Sequence, residues 1–409
     1  MPELVNIELR DYQKHAVRQA IKIGYGVLDM PPRAGKTRTM AAIIHELALP
    51  TIWIAPTDRI VEQTVTVLGG FFGHNFATHL VGSGEQDKAA KSHIVVCTAA
   101  TAGNLSAEFY RSREILVIDE YHHAAAKTYH HVFDNCEHVY HRYGMTGTFF
   151  RSGVDELALH AYLSDTVFRI TSAELLAQGY LVPTHVAFFP VKSSKIRGLA
   201  NTTYQMGHGK HGVQEHVDRN RMAAWAAIVL RSTGRQVLVL VGTKHQGRIL
   251  QDLIAGLLEN GAGPAPRGAA RRRNSRIGEV EYVSTDVPRP RQREVVDAFS
   301  AGQVGVLIGT SLLGEGVDLP SADALVYARG EKAEVTLIQN AYRVSTAAHG
   351  KRYAIIVDFA DRHHRKLLNH SLERLAVYHA EPTFTAAVLE DAYEFSTWVA
   401  GLGPFRDPG

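Results

Sequence analysis

The sequence predicts an α/β fold of two tandem units, each a parallel sheet covered by helices. Three observations lead there. Short continuous apolar runs alternate with amphipathic stretches, as buried parallel strands and their crossover helices do. The whole alternation occurs twice. The 409 residues, 45% hydrophobic and 21% charged, supply enough apolar material for two cores at roughly 100–200 residues each.

In the first unit the strand candidates are GVLDM (26–30), TIWIA (51–55), HIVVC (93–97), ILVID (115–119) and RYGMT (142–146). Helical patterns fall between them, such as TRTMAAIIHELAL after the first strand. The second unit repeats the scheme with QVLVLVG (236–242), EVEYVS (279–284), VGVLIGT (304–310), DALVYA (323–328) and RYAIIVDF (352–359). The expected division is a first domain at 1–165, a linker at 166–190 around ELLAQGYLVP, a second domain at 191–378, and a tail at 379–409 ending in a loose GLGPFRDPG. Pro183 stops the helical pattern of the linker.

Composition narrows the setting. Two cysteines, Cys97 and Cys136, make neither a disulfide framework nor a cysteine-rich zinc site, which suits a reducing cytosol. The start, MPELVNIELRDYQ, has no apolar leader pattern, and no apolar run reaches the ~18 residues of a membrane span. A cytoplasmic monomer without a membrane partner is the expectation. The net charge of +3 says little about partners. The placement of charge says more, because GAGPAPRGAARRRNSRIG (261–278) concentrates arginines among glycine, alanine and proline. Arg271, Arg272 and Arg273 are either a nucleic-acid-contacting arm or a solvated excursion.

The chemistry begins where the first strand runs into MPPRAGKTRT and a helix follows. Gly35-Lys36-Thr37 has the form of a phosphate loop. Backbone N–H groups at the helix start cradle phosphates, Lys36 reaches the β- and γ-phosphates, and the Thr37 hydroxyl binds Mg²⁺. Met30 occupies the first glycine position of the strict pattern. The fourth strand ends in Asp119-Glu120-Tyr121-His122. A strand ending in two acids after such a loop suits a second Mg²⁺ ligand, Asp119, and a general base for water, Glu120.

These stretches, in this order, resemble the motifs of superfamily 2 helicases over roughly residues 7–360, with a flavour of the compact UvsW-like, XPB-like and type III restriction motors. LRDYQ (9–13) resembles the adenine-recognition motif, APTDRIVEQ (55–63) motif Ia, and CTAAT (97–101) the next strand-end motif. DEYH (119–122) matches the DExH form of motif II, and MTGTFFR (145–151) is similar to motif III. VLVLVGTKHQGRIL resembles motif IV, GTSLLGEGVDLP (309–320) motif V, and LIQNAYRVSTAAHGKRYAIIVDF motif VI with its following strand.

The resemblance implies two RecA-like domains with an ATP cleft between them, and ATP and Mg²⁺ as cofactors. It implies nucleotide contacts from Arg10, Gln13, Arg33, Ala34, Gly35, Lys36, Thr37, Arg38, Gly316 and Asp318, with Gln13 reading adenine and favouring ATP over GTP. Lys36, Asp119, Glu120, His122, Gln339 and Arg343 are the implied catalytic set, and Thr37 and Asp119 the metal ligands. Nucleic acid would be gripped, mainly by its backbone, through Pro56, Thr57, Arg59, Thr98, Thr101, Thr243 and Thr310. Duplex or branched DNA is favoured over RNA. An RNA helicase, or a weakly catalytic clamp on nucleic acid, is the alternative.

Two departures favour the clamp. Arg33 stands where relatives carry glycine. Motif VI has Arg343, but Thr346 stands where a second arginine is common, leaving Arg343 alone or Lys351 or Arg352 as substitutes. Two side readings complete the inventory. His122, His123, His130, His131, His138 and His141 are dense but match no standard zinc spacing, so packed or solvated histidines are expected. Phe71-Phe72 and Phe149-Phe150 read as core rather than base-stacking surfaces.

Overall fold

The computed structural model describes residues 7–73, 76–80, 89–121, 127–136, 138–147, 162–191, 210–259, 278–310, 322–331 and 334–406. The chain divides into two compact units between Thr171 and Ser172.

In the first unit, α1 (Asp11–Ile23) leads into β1 (Tyr25–Asp29), α2 (Lys36–Leu47), β2 (Thr51–Ala55), α3 (Asp58–Phe72) and β3 (Ala77–His79). Then come β4 (Ile94–Thr98), α4 (Ala99–Ala102), α5 (Ala107–Arg111), β5 (Ile115–Ile118), α6 (Lys127–Asn135), β6 (His141–Thr146) and β7 (Thr166–Arg169). The strands pair in parallel in the order β3-β4-β2-β5-β6-β1-β7. The interior runs are apolar along their whole length because both faces are covered: β2 and β5 have no exposed residue. Helix α1 is amphipathic, burying Tyr12, Gln13, Ala16, Val17 and Ala20, and stops at Gly24. Gly24 sits at φ +91° with its N–H on the Ala20 carbonyl, a left-handed cap that glycine adopts without strain.

The second unit begins with α7 (Ser172–Ala177), β8 (Thr184–Pro190), α8 (Val217–Ser232), β9 (Val237–Leu240), α9 (Lys244–Glu259), β10 (Val280–Val283) and α10 (Arg289–Ser300). It continues with β11 (Val306–Gly309), β12 (Ala324–Tyr327), α11 (Glu334–Ser345), β13 (Ala354–Ala360), α12 (Arg365–Ala380), β14 (Phe384–Val388) and α13 (Ala392–Gly401). Its sheet is also parallel, in the order β10-β11-β9-β12-β13-β8-β14. Counted from the first strand of each unit, the two orders are the same. The expected two parallel sheets are therefore present.

The stretch expected as a linker is instead shared out. Residues 166–169 form the edge strand β7, and 184–190 form β8, which lies between β13 and β14. The expected tail is also built in. β14 extends the second sheet, and Phe405 lies under the Arg235 guanidinium, 4.6 Å from its ring centre, with Tyr353 on the same cation. Asp323 takes Arg406 at 3.0 Å.

Beneath the carboxyl ends of β12 and β13 lies a buried ionic network. Arg374 grips Asp358 with two N–H groups at 2.8 and 3.0 Å, and Tyr378 donates to the same carboxylate at 3.0 Å. Arg219 bonds Asp361 at 2.8 Å and the Ala328 carbonyl at 2.6 Å. Among the described residues no helix is long and apolar enough to cross a membrane. Cys97 and Cys136 are buried free thiols.

Candidate functional site

The carboxyl ends of β1, β6 and β5 are adjacent, and the first unit places its chemistry there. Ligands bind at this edge of open parallel sheets. Lys36 opens α2, with Gly35 as its cap at φ +78°. A side chain on Gly35 would also come within 2.4 Å of Gln13 Nε2, so conformation and space both demand glycine. The Lys36 ammonium donates to the Met30 carbonyl at 3.3 Å and lies against Gly147, just past β6, where a Cβ would approach it to 2.6 Å. Met30 is tied to β6 by its N–H on the Thr146 carbonyl at 3.1 Å.

The loop is braced from α1. Tyr12 O–H and Gln13 Nε2 both donate to the Ala34 carbonyl, at 2.8 and 2.9 Å. Gln13 Oε1 accepts from the Arg10 N–H at 2.9 Å, and the Arg10 guanidinium donates to the Tyr12 hydroxyl. Both ends of the Gln13 amide are thus engaged by the chain. Arg33 sits at φ +71°, a left-handed conformation that costs a non-glycine residue about 1–2 kcal/mol. Arg38 lies 6.0 Å from the ring centre of Phe71 on α3, and Thr37 is partly buried at the start of α2.

Asp119 follows β5 and is nearly fully buried. Its Oδ1 accepts from the Glu120 N–H at 2.9 Å. Burial first, then the Glu120 charge, push its carboxyl up to about 7, with Lys36, the Glu120 N–H and the Trp53 indole opposing. Glu120 itself is at φ +45°. At the end of β1, Asp29 is raised by burial and held down by Arg169, bonded at 2.7 Å.

A magnesium nucleotide suits these residues. The loop approaches too closely for a side chain at Gly35, an ammonium stands over it, and the oxygens of Thr37 and Asp119 are the hard donors magnesium takes. Asp119 is an acid whose buried charge a cation would stabilise.

The expected nucleic-acid residues of the first unit gather on neighbouring strand ends, since β2 and β4 pair. Thr57 caps α3 through the Ile60 N–H at 3.4 Å, with Pro56 and Arg59 beside it. Thr98 caps α4 through Thr101 N at 3.3 Å. In the second unit Thr243, which caps α9 through Gln246 N, and Thr310 follow the paired strands β9 and β11. Gln339 and Arg343 stand one helical turn apart on α11, Arg343 nearly buried.

His122, Gly316, Asp318, Arg271, Arg272, Arg273, His123, Phe149 and Phe150 lie outside the described residues. Phe72 is core and stacks on Phe76 at 5.3 Å. His130 bonds the Tyr162 hydroxyl, His131 lies against Asn135, and His138 and His141 meet the Tyr110 and Gly24 carbonyls. Lys351, a suggested substitute cation, is buried and donates to the Ala322 and Val344 carbonyls at 2.7 and 2.5 Å.

Sequence reasoning missed Tyr12, Gly147, the Asp29–Arg169 pair, and Lys244 and Arg248, which both pair with Asp286. Tyr12 stood beside Gln13 in LRDYQ, Gly147 in MTGTFFR, and Lys244 and Arg248 in VLVLVGTKHQGRIL, but nothing in those stretches singled them out.

Two parallel sheets of one strand order, one of them with this loop and acidic strand end, form the frame of a two-unit phosphate-loop protein. Residues 6–151 match the description "Type III restriction enzyme, res subunit", and residues 220–347 match "Helicase conserved C-terminal domain". The chain belongs to the superfamily 2 helicases, a class of ATP-dependent helicases and translocases. It is 24% identical to Putative helicase 22 of Sulfolobus islandicus filamentous virus, over 88% of this chain and 66% of that protein. It is 21% identical to the DNA 3'-5' translocase XPB2 of Sulfurisphaera tokodaii, over 83% of this chain and 78% of the relative. Against the Rad25 protein of Haloarcula marismortui it spans 48% of the relative's length.

The fold is shared with the DNA-bound type ISP restriction-modification enzyme LlaBIII, at TM-score 0.68 and 14% identity, covering 100% of this chain and 33% of that one. It is shared also with S. cerevisiae Dbp5, at TM-score 0.61 and 15% identity, covering 97% and 93%.

Proposed function

We propose that this chain is an ATP-driven translocase or helicase acting on duplex or branched DNA. The observation that carries the reading is the convergence of Lys36, Gly147 and Asp119 at three adjacent strand ends, around a loop closed to any side chain at Gly35. Lys36 holds the β- and γ-phosphates, and Thr37 and Asp119 hold Mg²⁺. The bound metal neutralises charge on the phosphates. Glu120, fixed by its own backbone N–H on Asp119, orients the attacking water and accepts its proton. Gln339 and Arg343 are the second unit's contribution to turnover. The strand-end residues of both units hold the nucleic-acid backbone, so sequence preference is slight. Relatives named as a DNA translocase and a DNA helicase favour DNA over RNA.

The test is ATP turnover by the purified chain with duplex DNA, forked DNA, single-stranded DNA and RNA in turn. Stimulation by DNA and not by RNA is expected. Glu120→Gln should still bind ATP but lose about 10²–10⁴-fold in turnover, and Lys36→Ala should lose both. Turnover indifferent to every nucleic acid, or a fully active Glu120→Gln, would overturn the reading.

A further inference from the structure

Asp29 is an acid at an awkward place. It ends β1, which is buried from Gly26 onward, and its side chain is only 12% exposed. Burial raises its carboxyl, and the Arg169 and Lys36 charges oppose that. Met30, the next residue, accepts the Lys36 ammonium on its carbonyl, so the acid lies within the field of the phosphate-loop cation. Phosphates bound to that loop would meet a buried carboxylate of their own sign.

The neighbouring strand is shaped to answer this. β7 pairs with β1 as Val27 with Thr166, then Leu28 with Phe168 and Asp29 with Arg169, passing over Val167. Without that bulge Phe168 would stand opposite Asp29. An extra residue in a strand re-aims the side chains that follow it. Gly26 makes the room. It sits at φ +131°, and a Cβ there would come within 2.4 Å of Val167 and 2.6 Å of the Asp165 carbonyl. Past the bulge, the Ile170 N–H donates to the Asp29 carbonyl at 3.1 Å, and Arg169 Nε donates to the Asp29 carboxylate at 2.7 Å. The pair is lopsided, because the Arg169 side chain is 49% exposed. Loss of Asp29 would leave a cation that water can solvate. Loss of Arg169 would leave a buried anion beside the phosphate loop.

We propose that Arg169 is a positioning residue of the nucleotide site, which neutralises Asp29 so that Lys36 stays available to the phosphates and their charge can enter. It acts through Asp29 rather than by contact with nucleotide. This rests on the reading of the loop as an ATP site.

The experiment measures equilibrium binding of a non-hydrolysable ATP analogue to the full chain, beside the melting temperature without nucleotide. The proteins are the unaltered chain, Arg169→Ala, Arg169→Lys, Asp29→Asn, the double variant Asp29→Asn with Arg169→Ala, and Lys36→Ala. Arg169→Ala should bind about five- to fiftyfold more weakly, and Arg169→Lys, which keeps the charge, should stay within about threefold of the unaltered chain. Asp29→Asn should bind about two- to fivefold more tightly, because it removes a negative charge from the site. In the double variant it should restore affinity to within about threefold of the unaltered chain. A merely structural arginine would show no such rescue, since losing both partners of a strand contact removes it as surely as losing one. Tight binding by Arg169→Ala, or a loss that Asp29→Asn does not restore, overturns the role of Arg169 and leaves the ATP site standing, provided Lys36→Ala loses binding. Should Arg169→Ala fail to fold, weakened binding by Asp29→Asn, or a loss in Arg169→Lys beyond about fivefold, overturns it equally. Failure of the unaltered chain to bind the analogue, or normal binding by Lys36→Ala, overturns the ATP site itself and the role of Arg169 with it.

Discussion

At Asp119, burial and the Glu120 carboxylate raise the acid from its ordinary 3.8 to about 7, and Lys36 offsets them only in part. The folded state therefore binds the Asp119 proton more tightly than the unfolded chain does. That contribution to stability is fully present below about pH 4 and is lost as pH rises through about 7. Melting of the metal-free chain and of Asp119→Asn at pH 5 and pH 8 reads this directly. The advantage of the variant should be larger at pH 8 than at pH 5 by about 1–3 kcal/mol. A gap of the same size at both pH values would remove the coupling. Gln13 illustrates what a sequence conveys about a residue. Its position was legible from LRDYQ, and its partners were not, because they depend on α1 lying along the loop. With both amide atoms on the chain, Gln13 acts through the loop in this state. Gln13→Ala is expected to weaken ATP and GTP binding by a similar factor, about tenfold. Competition against a fluorescent nucleotide measures it, and a loss confined to ATP would instead make Gln13 the adenine reader.

Among elements, the phosphate loop was the most legible because its glycine has no substitute. Gly35→Ala would meet both the left-handed φ and Gln13, so it should abolish nucleotide binding and lower stability by about 1–3 kcal/mol, read by calorimetry. Interior strands were legible too, since burial on both faces leaves an unbroken apolar run. Of the edge strands, β10 was read from EVEYVS, but β3, β7 and β14 were not. β7 has no buried residue and β14 only one, Phe384, so neither carries that signature. β8 was hidden for a different reason. Its prolines lie at the margins, Pro183 before it and Pro190 as its last residue, and its place in the sheet comes from pairing with β13, far along the chain. The join of α12 to β13 rests on Arg374, whose charge is stabilised by Asp358, by Asp361 at 3.9 Å and by nearby carbonyls. Arg374→Ala leaves Asp358 buried without its cation and should cost about 3–5 kcal/mol in a denaturant titration. A change under about 1 kcal/mol would mean that water replaces the guanidinium.

For the whole molecule, the doubling of the α/β pattern was visible in the sequence, but the order of strands within each sheet was not, because order is set by crossovers that leave no mark in local composition. The molecule's charge is nearly balanced, so binding to nucleic acid should depend on where cations cluster rather than on net charge. Lys244 and Arg248, exposed at the start of α9 and shared by one acid, Asp286, are such a cluster. Replacing both with Ala should weaken binding equally on all sequences and make the salt slope shallower by about two units. An unchanged slope would leave them as partners of Asp286 alone. The common strand order of the two sheets has a historical meaning as well. Duplication of one ancestral gene end to end would leave two sheets that cross over at the same places. Glycine-lysine-threonine occurs once in the sequence, after β1, and has no counterpart after β8. On such a history one copy would have kept the fuel line, and the other, relieved of it, would have been free to diverge around a different duty.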